Sequence, residues 1–188
     1  MATSMTCRAV ALVWVPILLD PAALTARELP PLAYQVAAAQ ARVPSNVLYA
    51  VALQESGWAL RGRVVPWPWT LNIAGQPHRY ATRREACTAL YRTLRITPAT
   101  RVDVGLGQLN IGHQQHRVRQ PCELLEPYRN LLLAATILRE QYNPAESWLI
   151  AVGRYHRPAG GLPAIRYRSS VERYLAHVAA PTTQENHP

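Results

Sequence analysis

The stretch that most constrains the chain is residues 45–56, SNVLYAVALQES. Pro44 stands before it and Gly57 after it, the punctuation of a short helix. On a helical wheel Leu48, Val51, Ala52 and Glu55 fall at i, i+3, i+4 and i+7, so the glutamate continues the apolar stripe. A carboxylate on a buried stripe must be paired, protonated or open to a cleft. The alternative is a frayed last turn that leaves Glu55 at the surface. An apolar pocket would raise the carboxyl pKa toward neutrality, where the group can act as a general acid.

The neighbouring segments read as more helices. Pro30-Pro31 opens one over about 32–42, which Pro44 ends. Thr82-Arg83-Arg84-Glu85 fits a capping box and starts a helix to about 94, with Cys87, Leu90 and Leu94 on one inward face. Residues 127–142 form a strongly apolar helix. Asn143-Pro144-Ala145-Glu146 reads as a second capping box, for a helix to about 155. Ser169 and Glu172 read as the start of a last helix to 178, after a turn over 157–163. Between these lie a loop and a small hairpin, with strands at 69–73 and 78–81 joined through Ala74-Gly75-Gln76-Pro77. Residues 101–110, RVDVGLGQLN, are short, glycine-containing and non-helical. The expectation is one mainly α domain with a small β element.

Length and composition agree with this. At 188 residues the chain has room for one domain with a real core. Its 49% hydrophobic and 16% charged residues exclude a disordered chain. The net charge is +9, and arginine supplies it without any lysine. Such a surface attracts polyanions, but the arginines form no run, which argues against a specific nucleic-acid partner. Arg8, the apolar stretch 9–19 and the exit Leu24-Thr25-Ala26 read as a secretory signal peptide over 1–26. The domain would then occupy 27–180, outside the cytoplasm, and 181–188 would be a flexible tail. Cys7 leaves with the signal, and Cys87 and Cys122 remain as one disulfide or as two buried thiols. The histidines, His113 and His116 included, lack the spacing and third ligand of a metal site.

Four motifs come in a telling order: Glu55-Ser56-Gly57-Trp58, then DVGLGQLN from Asp103, EPYRNLLLAATILREQY from Glu126, and SWLIAVGRYHRP from Ser147. Together they resemble the soluble (SLT-type) lytic transglycosylases, which share a fold with goose-type lysozyme. The resemblance covers about residues 32–160. It pairs a helix ending in Glu-Ser with a Gly-x-x-Gln turn (Gly105 to Gln108), an Asn-bearing helix (Asn130) and a last motif, Gly153-Arg154-Tyr155-His156. The insert PWPWTLNIAG, the DVG before the turn, and Tyr-His in place of Tyr-Asn are similar to the subgroup that accompanies conjugation and type IV secretion machines.

The resemblance implies a mainly α, lysozyme-like single domain with a small β-hairpin lining the cleft. It implies that Glu55 is the single catalytic acid and base, cutting the bond between N-acetylmuramic acid and N-acetylglucosamine with closure of a 1,6-anhydro ring. Tyr155 would place its hydroxyl near Glu55, and Gln108 would contact the sugar from the turn. Asn110 and His156 would join the substrate site, and Ser56 would support the glutamate's surroundings. Trp67 and Trp69 would offer faces to sugar rings or else pack as core. Cys87 and Cys122 would join the helix after the hairpin to the segment before the Asn-bearing helix. Asp103 is the competing carboxylate: it either bonds the backbone of its own turn or makes a lysozyme-type hydrolase with Glu55. A non-catalytic wall-binding or scaffold protein is the third reading. The partners implied are peptidoglycan glycan strands and components of a secretion or conjugation apparatus, for a periplasmic monomer without a cofactor.

Overall fold

A computed structural model describes residues 28–179. The expected signal peptide and tail lie outside the described residues.

Helix α2 (Ser45–Ser56) starts after Pro44 and stops at Gly57, as its punctuation predicts. It is not amphipathic but buried nearly all round, from Val47 through Leu53. It is the central rod of the domain. Helix α1 (Leu32–Ala41) precedes it and closes in the left-handed region at Arg42. Helices α5 (Pro127–Glu140) and α7 (Gly161–Leu175) pack against α1 and α2, and α6 (Trp148–His156) packs against α7. Leu48, Val51, Leu131, Leu138, Val152 and Val171 are fully enclosed among them.

Gly57 must be glycine because the chain turns back on itself there. A Cβ would strike the Leu53 carbonyl and come within 2.9 Å of Val64. Strand β1 (Gly57–Leu60) pairs antiparallel with β2 (Arg63–Pro66) as a separate ribbon. The loop expected before the predicted hairpin is thus a hairpin of its own. The predicted hairpin also forms, as β3 (Thr70–Ile73) and β4 (Gln76–Arg79), turning at Ala74-Gly75. It belongs to a larger sheet, order β4-β3-β5-β6, completed by β5 (Val102–Val104) and β6 (Leu109–Asn110), which leads into the one-turn helix α4 (Ile111–Gln114). The mainly α domain with small antiparallel sheets agrees with the lysozyme-like expectation.

Helix α3 (Arg83–Leu94) is capped by Thr82, whose hydroxyl accepts from the Glu85 amide, while the Glu85 carboxylate reaches back to the Ala81 amide. Cys87 on α3 and Cys122, in the 3-10 turn before α5, form a disulfide with Cα atoms 5.4 Å apart. Helix α5 is capped by Glu126, which accepts from the Tyr128 and Arg129 amides.

Two expected helix starts move. Asn143 caps a turn, accepting from the Ala145 amide, and Glu146 is taken by Arg154, so α6 begins only at Trp148. The Ser169/Glu172 pair lies inside α7, which begins eight residues earlier. Ser169 donates to Ile165 O in the preceding turn and caps nothing. Among the described residues no helix is long and apolar enough to cross a membrane.

Candidate active site

Helix α2 surfaces at its last turn, and there Glu55 enters a cavity of about 640 Å³. One wall is the sheet, through Asn72, Asp103 and Asn110. The other is helical, through Ile137 and Glu140 of α5 and Tyr155 and His156 of α6. Burial pushes the Glu55 carboxyl up to about 7; a hydrogen bond from Tyr167 opposes the rise and the charge of Asp103 adds to it. The Tyr167 hydroxyl donates to Glu55 Oε1 at 2.6 Å. Its ring is stacked on His156, with centroids 4.5 Å apart and planes 3° from parallel. Burial and Arg157 lower the His156 pKa, against the pull of Asp103, which favours the neutral ring.

Tyr167 lies outside the sequence reading, which starts α7 beyond it. The signal is visible in retrospect: Ala164, Tyr167 and Val171 repeat at i, i+3 and i+7 and are the buried face of the helix. Tyr155, expected to place its hydroxyl near Glu55, lines the same cavity, and that hydroxyl donates to the Gly107 carbonyl at 2.6 Å. The hydroxyl on the carboxylate belongs to Tyr167.

Asn130 organises the turn opposite. Fully buried on α5, it donates through Nδ2 to Val104 O (3.0 Å) and Leu124 O (2.8 Å), and accepts from the Gly107 amide at 2.8 Å. The turn therefore sits flat on α5. A Cβ on Gly107 would lie 2.6 Å from that of Ala134 and 2.9 Å from the Tyr155 hydroxyl. Gln108 is held at φ +45, a left-handed conformation uncommon outside glycine, and its amide donates to Gly105 O at 2.8 Å. The side chain lines the cavity.

The remaining predicted residues divide. Asn110 and His156 line the cavity. Ser56 does not: it is wholly buried, donating to Ala52 O and Leu106 O, so it cannot touch a substrate and instead ties α2 to the turn. Trp67 and Trp69 also stay outside the cavity lining. Trp67 donates to Tyr80 O and meets Trp58 and Trp69 edge to face, while Trp69 packs against the core. Asp103 corrects the expectation of a backbone role. It faces the cavity and accepts from Asn110 Nδ2 at 2.8 Å. Burial raises its pKa, and the Asn110 bond, His113 and His156 work against the rise.

Several cavity residues had no sequence signal. The Asn72 and Gln114 side-chain oxygens are buried in its wall and, among the described residues, have no hydrogen-bond partner. Such acceptors suit hydroxyl or amide protons of a ligand. Glu140 is held by both terminal nitrogens of Arg117, at 2.9 and 2.8 Å.

The site is thus an open polar groove with the Glu55 carboxyl at its end, unpartnered acceptors in its wall among the described residues, and two further carboxylates, Asp103 and the arginine-paired Glu140, in the same cavity. A family model described as Transglycosylase SLT domain matches residues 33–174, which extends the likeness past residue 160 and through Tyr167. No curated protein and no solved structure matches the chain.

Proposed function

Because the chain belongs to the transglycosylase SLT domain family, whose members are lytic transglycosylases of peptidoglycan, we propose that it cleaves the β-1,4 bond between N-acetylmuramic acid and N-acetylglucosamine with Glu55 as the one catalytic acid and base. The observation that carries this reading is the Glu55 carboxyl, buried at the end of the cavity and pushed up to about 7. A carboxyl so poised can give a proton and take one back near neutral pH.

Protonated Glu55 donates to the glycosidic oxygen as the bond from the muramoyl C1 breaks. The departing N-acetylglucosamine carries that proton. The muramoyl C6 hydroxyl then attacks C1, and the Glu55 carboxylate takes the hydroxyl proton. The 1,6-anhydro ring closes and Glu55 is again protonated, with no water consumed. Tyr167 holds the carboxylate in place through both steps, and Asn72 and Gln114 accept from sugar hydroxyls or acetamido N–H groups.

In the cell this is a periplasmic monomer that opens the wall locally for a conjugation or type IV secretion apparatus. The PWPWTLNIAG insert and Tyr155-His156 support that setting. Digestion of purified wall followed by mass spectrometry of the products tests the chemistry: 1,6-anhydro ends are expected. Reducing ends alone would overturn it in favour of a lysozyme-type hydrolase, the reading that Asp103 in the same cavity favours. A wild-type protein that binds wall without cutting it would point to a scaffold.

A further inference from the structure

The β1–β2 ribbon takes no part in the cavity. Its ten residues, GWALRGRVVP, contain no acid, amide or hydroxyl side chain. At its outer end Trp58, Leu60 and Val64 are 38%, 41% and 42% exposed, and Arg61 and Arg63 stand at the tip. Cross-strand pairing puts Trp58 with Val65 and Leu60 with Arg63 on one face, and Ala59 with Val64 on the other. Apolar groups are therefore exposed on both faces, where water gives them nothing. The tip turn places Arg61 at φ +50 before Gly62 at φ +78. Asn or Gly is the usual choice at the first of these positions, so an arginine sits there against local backbone preference. Arg79 lies 5.9 Å above the Trp58 ring and donates to Gly57 O, and Arg63 pairs with Glu28.

We infer that this ribbon is a docking device for an anionic phospholipid surface. Tryptophan and aliphatic side chains suit the boundary between headgroups and acyl chains, and arginine suits lipid phosphate. Exposure on both faces fits insertion into a fluid medium better than docking on one rigid partner. A glycan platform would need carboxylates or amides beside the ring to meet sugar hydroxyls, and the ribbon has none. The net charge of +9 adds a general attraction to the same surface. The inference does not depend on the cleavage chemistry. It does bear on its location, since β1 begins two residues after Glu55 and each strand spans about 13 Å.

The test uses the chain from Arg27, which carries the complete described core, in sedimentation with three probes. These are vesicles of phosphatidylglycerol mixed with phosphatidylcholine, vesicles of phosphatidylcholine alone, and insoluble peptidoglycan. Wild type is expected to sediment with the anionic vesicles and much less with the neutral ones. Trp58→Ser with Leu60→Ser keeps every charge and should weaken anionic-vesicle binding by about tenfold or more, with peptidoglycan binding and wall clearing in solution unchanged. If that pair lowers the melting temperature, Leu60→Ser with Val64→Thr is the milder substitute. Equal binding of variant and wild type would overturn the inference in favour of diffuse charge attraction. Failure of wild type to bind anionic vesicles would also overturn it, as would a loss confined to peptidoglycan, which would mark the ribbon as a glycan contact.

Discussion

Tyr167 and Glu55, 112 positions apart in the chain, meet through one 2.6 Å hydrogen bond that holds the carboxyl in the cavity. The donor favours the charged carboxylate and so pulls its pKa down against burial. Tyr167→Phe removes that pull. The Glu55 pKa should rise, and the alkaline limb of kcat/KM should move to higher pH by about one unit. A pH–rate profile on soluble glycan checks this; an unmoved limb would mean that Tyr167 only packs.

Glu55→Gln should lower turnover by about 10²–10⁴-fold while leaving wall binding intact. It should also stabilise the fold at alkaline pH. In wild type the folded state holds the Glu55 proton up to about 7, whereas the unfolded chain releases it near 4.5. Between those values the folded state binds more protons, so stability contributed by this group falls as pH rises. Melting temperatures at pH 5 and pH 8 should therefore differ less in the variant than in wild type.

Asp103→Asn separates the two chemistries. If Glu55 works alone, anhydro products persist and the rate falls by no more than about tenfold, below the usual cost of losing a general base. A hydrolase that relies on Asp103 would lose water attack, and reducing ends would vanish. Quantifying both kinds of end in one digest gives the answer.

Asn130→Ala removes the side-chain partner of two carbonyls and one amide in the core. A loss of about 3–5 kcal/mol is expected in urea unfolding. Gly107→Ala should act on the same turn by collision with Ala134 and cost activity before it costs fold.

Replacing Cys87 and Cys122 together by serine opens a bridge between residues 35 apart. The expected loss is about 3–4 kcal/mol, read from the same urea titration with and without reductant.

The contrast between α2 and α7 shows what the sequence made legible. Pro44 and Gly57 are strong local signals, and the bounds of α2 follow from them alone. Helix α7 begins after Gly160, which offers no side-chain cap, with Pro163 in its first turn. The Ser169/Glu172 spacing imitates a start in the wrong place, and that hides Tyr167. The sheet was half legible for a related reason. The β3–β4 hairpin is local, but β5 reaches β3 across some thirty residues, and its pairing depends on the packing around Asn130. The arginine in the β1–β2 turn disguises that hairpin as a loop. Glu55 stands out because it breaks an apolar pattern; Asn72 and Gln114 break none, and only the cavity walls reveal them.

The two ends of the described chain are stitched together. The Glu28 amide donates to His177 O, and the Ala179 amide donates back to Glu28 O, a parallel bridge with Val178 between. Neither end lines the cavity. The domain is thus nearly a closed loop, and a short linker from 179 to 28 would complete the circle. Reopened at the exposed Ala74-Gly75 turn, such a permuted chain should rebuild the same groove from a different first residue. A cargo joined directly at residue 28 or at residue 179 would hang from one spot, clear of the cavity.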